Sequence, residues 1–317
     1  MKTIISLVLL LSLGLSSPVT AAPVNIRLGY LSNDLHHLAA WVALEKGFFR
    51  DVGISVTIAG VFHAGPEEMT AFASRSLDIG YLGVAPAMTG AANKAATVKV
   101  VALANTEGSA IVVRKDSRIR DLKDLIGKTV AIPGYSSVQD ILLRRALEQA
   151  GIESKKITIM VIKPPEMIPA LDTKQIDAFV AWEPYPARAV TRGIGKVIIS
   201  SSEIWRNHPC CVVAVEGSFY EHNRAIISAF LGAHRKATDF IGTHPDEALR
   251  IAMKYTGMDE PTIREAMKNI TYQYAIDRAA MKEYAGYLLK FQYIKPMDIN
   301  AFTNGFIDMH GLEEIAR

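Results

Sequence analysis

The chain has 317 residues, half of them hydrophobic, and its 35 basic side chains stand against 32 acidic ones. A balance this close to neutral gives no footing for nucleic acid or an anionic membrane surface. The only cysteines, Cys210 and Cys211, are adjacent, which excludes a disulfide framework.

Met1-Lys2 supplies one positive charge, Ile4 to Leu15 is an almost unbroken apolar run, and Thr20-Ala21-Ala22 ends it with small residues. That order is the pattern of a secretory signal and is short for a membrane span. No cysteine follows the run, so no lipid attachment is expected, and the mature chain is expected to start at Pro23 in a periplasm. Removing residues 1–22 leaves 295 residues and, with Lys2 gone, a net charge of +2. This length can bury a sizeable core, as one large domain or two ordinary ones.

Strand and helix then alternate. Ile26 to Leu31 reads as a strand, Leu38 to Lys46 as a helix stopped by Gly47, and Ile54 to Ile58 as a second strand. Gly65-Pro66-Glu67-Glu68 has proline and acids where a helix starts. Asp78 to Leu82 is a short strand, and Gly83 to Pro86 opens another helix. Val98 to Ala104 and Ala110 to Arg114 are β-rich, and Asp121 to Ile126 is a helical turn before the strand Thr129 to Ile132. Val138 to Ala150 is an amphipathic helix with the strand Ile157 to Ile162 behind it. Such alternation predicts parallel sheet covered by helices. After the strand Cys210 to Val215, residues 223–317 predict four or five helices, with start signals at Pro245, Asp259-Glu260-Pro261 and Asp277.

Residues 69–86 and 167–184 form a quasi-repeat. Each reads as helix, polar turn, an apolar-Asp pair, a short strand, and a loop ending in Pro86 or Pro184. Two similar α/β units, each with such a loop at the carboxyl end of a strand, would face each other across a cleft, because open α/β sheets bind ligands there.

The strings Gly29-Tyr30-Leu31 and His36 to Phe49, then Leu77-Asp78-Ile79-Gly80, Asp121 to Ala131 and Ala178 to Tyr185 occur in this order. Together they resemble the nitrate/sulfonate/taurine family of periplasmic binding proteins, related to thiamine-precursor binders, over residues 25–220. The resemblance implies an α/β, two-lobed type II periplasmic-binding-protein fold with a hinge and a central ligand cleft. Residues 24–108 with 209–317 would form one lobe and 109–208 the other. It also implies a secreted, monomeric component of an ABC importer that captures a small polar molecule, such as a sulfonate, taurine or nitrate, by lobe closure, with the permease and ATPase as membrane partners. A secreted ligand sensor would use the same binding physics. Thiamine-pyrimidine enzymes share the architecture but carry a longer cysteine-rich run than Cys210-Cys211 and are cytosolic.

Candidate ligand-binding residues follow from position and chemistry. Asn33, Asp34, His36 and His37 follow the first strand, although Asn33 or Asp34 would equally serve as an ordinary helix cap. Gly83, Val84 and Ala85 offer amides at a helix start. Ser136 and Ser137 offer hydroxyls before the helix at Val138, with plain capping by Ser137 as the rival reading. Thr106 lies near the first crossing between the lobes. Trp182 beside Glu183 suits stacking and an amine, while a first-turn glutamate beside a structural tryptophan is the plainer alternative. The cysteines have no metal-ligand spacing in sequence and read as small hydrophobic residues in a strand, as His63, His208, His234 and His244 read as structural or exposed. No nucleophile elbow, dinucleotide loop, phosphate loop or zinc-protease motif occurs, so neither catalysis, cofactor nor metal is expected.

Overall fold

A computed structural model describes residues 23–315, and the expected signal segment 1–22 lies outside the described residues. Eleven strands follow one another in these residues. They are β1 (Val24–Leu31), β2 (Ile54–Phe62), β3 (Ile79–Gly83), β4 (Val98–Glu107), β5 (Ser109–Arg114) and β6 (Thr129–Ile132). After these come β7 (Thr158–Val161), β8 (Ala178–Trp182), β9 (Gly195–Ser200), β10 (Pro209–Glu216) and β11 (Ile270–Tyr272). They form a six-stranded sheet in the order β11-β4-β10-β3-β1-β2 and a five-stranded sheet in the order β7-β6-β8-β5-β9. Each sheet, with the helices on its faces, makes one lobe.

Both sheets are mixed, which corrects the expectation of parallel sheet. β1 lies parallel to β2 and β3, and β6 lies parallel to β7 and β8, as strand-helix-strand units require. Beside each trio runs a strand in the opposite sense, β10 against β3 and β5 against β8. These strands adjoin the two places where the chain crosses between the sheets, so they enter from the far end.

The quasi-repeat is real in three dimensions. Helix Gly65–Ala73, β3 and helix Val84–Ala92 in the first lobe correspond to helix Pro164–Asp172, β8 and helix Tyr185–Thr191 in the second. The shared aspartate has the same task in both. Asp78 accepts from the backbone N–H of Arg27 at 2.8 Å while its own N–H donates to Arg27. Asp177 accepts from Thr129 N–H at 2.9 Å while its own N–H donates to Thr129. Each pins its strand to the neighbouring parallel strand one residue before the ladder begins. Only Asp78 adds an ion pair, with the Arg27 guanidinium at 2.7 Å.

Helix Leu38–Glu45 is apolar nearly all round, with Leu38 to Ala43 buried, so it belongs in the core rather than on a face. Trp41 stacks on Tyr255 with ring centroids 5.1 Å apart, tying this helix to the C-terminal helices. Beyond Asn223 there are six helices among the described residues, Arg224–Thr243, Pro245–Thr256, Glu260–Met267, Arg278–Lys290, Ile299–Phe306 and His310–Ile315. The expected four or five are therefore too few, and β11 was not foreseen, because three residues carry no periodicity of their own.

Candidate functional site

β1 and β3 in one lobe, and β6 and β8 in the other, end at the junction between the sheets. After β1 the chain turns through Asn33, whose φ is 53°, and Asp34 caps the short helix Leu35–His37 by accepting from His36 N–H at 3.0 Å. Leu35 N–H donates across the junction to the Glu183 carbonyl at 3.1 Å. Asp34, His36 and His37 are therefore fully enclosed between the lobes.

Each histidine has one ring nitrogen assigned by its backbone partner. His36 Nε2 lies 2.9 Å from the Gly108 carbonyl, so that nitrogen carries the proton and Nδ1 keeps its lone pair when the ring is neutral. His37 is the reverse, because its Nδ1 accepts from Leu31 N–H at 3.2 Å. Gly108 makes the first contact possible. Its φ is +84°, and an added Cβ would lie 2.3 Å from His36 Nε2.

Cys210 and Cys211 join this cluster. Neighbours on a regular strand point to opposite faces. β10 is irregular on both sides of Cys211 where it pairs with β4, and Asn105 Oδ1 takes the Cys211 N–H at 3.1 Å in place of a ladder partner. As a result both sulfurs reach the same imidazole nitrogen, Cys210 Sγ at 3.5 Å and Cys211 Sγ at 3.7 Å from His36 Nδ1. Asp34 Oδ1 is 3.2 Å from that nitrogen, and Asp34 Oδ2 is 4.0 Å from Cys211 Sγ. Both cysteines are buried in the apolar strand β10, as the sequence predicts, and what the sequence spacing does not show is their histidine neighbour, 174 residues from Cys210.

The electrostatics are those of a dry cluster. Burial lifts the Asp34 carboxyl to about 7 against the pull of His36. Burial works against a charged His36, but Cys210 and Asp34 outweigh it and hold the imidazole at about 9. The Cys210 thiol, despite burial, is drawn well below its ordinary value by Cys211 and His36. Cys211 is pushed well above it by burial and by Cys210. Burial and the neighbouring His36 keep His37 neutral. Glu68 completes the group. Its carboxyl is fully buried without a hydrogen-bond partner among the described residues, and burial, then Asp34, keeps it protonated. Gly29 and Gly80, paired across β1 and β3, leave room for it, since a Cβ on Gly80 would stand 2.3 Å from Glu68 Oε1.

The second lobe's loops combine internal caps with contacts to the first lobe. Ser137 caps helix Val138–Gln149 by accepting from Asp140 N–H, and Asp140 in turn accepts from Ser136 N–H at 2.9 Å. Ser136 Oγ meets Thr89 Oγ1 of the first lobe at 2.7 Å. Glu183 has both oxygens engaged, one by Ala187 N–H at 3.0 Å and the other by Asn269 Nδ2 of the first lobe at 2.7 Å, and burial still lifts its carboxyl to about 7. Trp182 is buried edge-on to Tyr185, and neither the indole N–H nor the phenol finds a partner among the described residues. Gly83, Val84 and Ala85 are buried at the same junction, where a Cβ on Gly83 would sit 2.9 Å from Val138 Cγ2. Thr106 is buried farther out and accepts from Gln273 at 3.3 Å. A cavity of about 270 Å³ lies at the edge of the junction, lined by Met69, Pro86 and Thr89 from one lobe and Tyr135 and Ser136 from the other. A larger one, about 700 Å³, is lined by the first lobe alone, so lobe closure does not shape it. Glu68, Cys210, Cys211 and Asn269 are the junction residues that sequence reasoning missed. The glycines at 29 and 80 were the available sign of Glu68.

The sequence pattern of the NMT1-like family matches residues 20–255. The chain belongs to the NMT1-like family. Among curated relatives, the taurine-binding periplasmic protein of Escherichia coli is 29% identical over 67% of this chain and 67% of its own. Among solved structures, the nitrate-binding protein NrtA from Synechocystis superposes with a TM-score of 0.81 at 17% identity, covering 93% of this chain and 88% of that one. The alkanesulfonate-binding protein SsuA from Xanthomonas axonopodis, bound to MOPS, gives 0.79 at 17% identity over 91% and 99%. The two-lobed periplasmic-binding-protein fold of this NMT1-like chain follows from these superpositions.

Proposed function

We propose that this NMT1-like chain is the periplasmic substrate-binding component of an ABC importer, a monomer that delivers a small polar molecule to a permease and its ATPase. The lobes would be residues 24–108 with 209–315 and 109–208, rotating about the crossings near Gly108 and His208. One observation carries the reading. Two matched strand-helix units present their carboxyl strand ends to each other, with hydrogen bonds already spanning the junction at Leu35–Glu183, Asn269–Glu183 and Thr89–Ser136. A ligand favours such a closed state only by touching both lobes at once. The taurine, alkanesulfonate and nitrate specificities named for the relatives set the size class.

Charge narrows the class further. The junction buries Asp34, Glu68 and Glu183, no lysine or arginine is buried among the described residues, and Asp140 already covers the Ser136 amide. A bare oxyanion would meet three carboxyl groups, with His36 already paired to Asp34, which a site of low dielectric penalises. A ligand with donor hydrogens, as in taurine, suits this junction better than nitrate. A thermal-shift comparison of taurine, an alkanesulfonate and nitrate, followed by small-angle scattering, tests this. The preferred ligand should stabilise by about 2.7 kcal/mol at a hundredfold excess over its dissociation constant, and the radius of gyration should fall on binding. A ligand that raises the melting temperature without changing the radius at all would defeat the closure reading.

A further inference from the structure

We propose that His36, Cys210 and Cys211 bind one thiophilic metal ion of the Zn²⁺ kind at the floor of the junction, beside Asp34. This goes beyond the importer reading, which needs no metal, and it stands or falls separately.

The spacing of the donors carries it. Around a tetrahedral zinc with usual bond lengths, a sulfur and a nitrogen ligand lie about 3.6 Å apart, and a nitrogen and an oxygen about 3.3 Å apart. Here the two sulfur–nitrogen edges are 3.5 and 3.7 Å, while Asp34 stands alongside with Oδ1 3.2 Å from the nitrogen and its other oxygen, Oδ2, 4.0 Å from Cys211 Sγ. His36, Cys210 and Cys211 place all their donor atoms within 4.8 Å of one another. Three potential ligands, His36 Nδ1 and the two sulfurs, thus already lie together, and no main-chain rearrangement is needed to gather them.

The tautomers choose between the two histidines. His36 donates its Nε2 proton to the Gly108 carbonyl, the outer contact that fixes a ligating imidazole and leaves Nδ1 free for a metal. His37 has Nδ1 occupied by Leu31 N–H, so its Nε2 bears a proton and is no ligand, although it lies 3.7 Å from Asp34. The rival occupant is a proton on His36 Nδ1 shared with Asp34. One proton serves one such edge, whereas two sulfurs and a carboxylate converge on the same nitrogen. Two thiols with an imidazole select zinc-like ions over magnesium or calcium, which prefer all-oxygen shells. Binding would release the protons that the imidazole Nδ1 and the thiols hold, and the ion would enter when the lobes part at Gly108.

The mature protein, with its two thiols reduced and counted, is titrated with Co²⁺, whose thiolate complexes absorb through sulfur-to-metal charge transfer. We expect one equivalent to give a charge-transfer band of two-thiolate intensity with a tetrahedral visible spectrum, and one equivalent of Zn²⁺ to bleach both. Cys210→Ser and Cys211→Ser should each halve the band. His36→Gln should keep the sulfur band but weaken binding by more than the roughly 10–100-fold that an outer contact costs. Circular dichroism of each metal-free variant checks the fold. If the variants do not fold, the wild-type spectrum decides alone. Absence of a sulfur band in reduced, folded wild-type protein overturns the proposal, as does a band that survives both serine changes undiminished.

Discussion

The two lobes repeat one architecture but divide their chemistry unequally. β1-β2-β3 and β6-β7-β8 are built alike, down to the aspartate that locks each third strand to its neighbour. At their carboxyl ends they part company. The first lobe gathers buried acids, imidazoles and thiols, several of them without partners, around Asp34 and His36. The second answers with capped carboxyls and hydroxyls, Ser137 on Asp140 and Glu183 on Ala187, and its unpartnered atoms, Trp182 Nε1 and Tyr185 Oη, are not acids, imidazoles or thiols. Unsatisfied buried polar groups cost stability, so a fold tolerates them where function or a ligand offsets the loss. The comparison assigns chemistry to the first lobe and enclosure to the second.

Acid should separate the lobes most strongly. The second lobe, residues 109–208, has one histidine, the buried His208 at the crossing, whereas the first lobe buries His36, His37 and His234. His234 is bonded to Tyr81 Oη at 2.9 Å and to the Leu103 carbonyl at 2.8 Å, and burial depresses it to about 4. Between that value and its ordinary 6.5, the unfolded chain binds the extra proton and the folded one does not. Stability from this group is therefore complete above pH 6.5 and is lost as pH falls towards 4, by roughly 3 kcal/mol. His234→Gln should flatten the urea-midpoint decline over that window, against the opposite contribution of Asp34 and Glu68, whose burial-raised carboxyls gain stability as pH falls. An unchanged pH dependence in that variant would remove His234 from the account.

The paired aspartates give a smaller test. Asp78→Ala removes a backbone hydrogen bond and an ion pair with Arg27, so denaturant unfolding should show a loss of about 2–3 kcal/mol. Asp177→Ala removes only the bond from Thr129 N–H and should lose about 1 kcal/mol. If the order is reversed, the equivalence of the two units is superficial. Smallest is the cap. Ser137→Ala should cost about 1 kcal/mol of stability and leave the melting shift produced by the ligand unchanged, because Ser137 serves its own helix. A lost shift would return that loop to the binding surface.

Much of this was legible in the sequence. The quasi-repeat showed itself through the aspartates at 78 and 177 and the prolines at 86 and 184, because hydrogen bonding before the strand and a helix start after it constrain residue type locally. What escaped depends on distance or on irregularity. Cys210 and Cys211 meet His36 only because β10 bulges, and alternation along a strand predicts opposite faces for them. Glu68 sits where a helix start calls for an acid, and only its placement over Gly29 and Gly80 shows that it points inward. The antiparallel sense of β5 and β10 is a property of the crossings, and no local pattern encodes it.

The crossings also order the events by which the molecule is made. β10 lies between β3 and β4, and Val213 pairs with Ala102 across more than a hundred residues of chain. The second sheet is complete within residues 109–200. Closing long loops is slow, and segments with nearer contacts assemble first. The second lobe can therefore be finished while the first is still a sheet with its middle strand missing, and the thiol–imidazole cluster comes into being only with that last insertion.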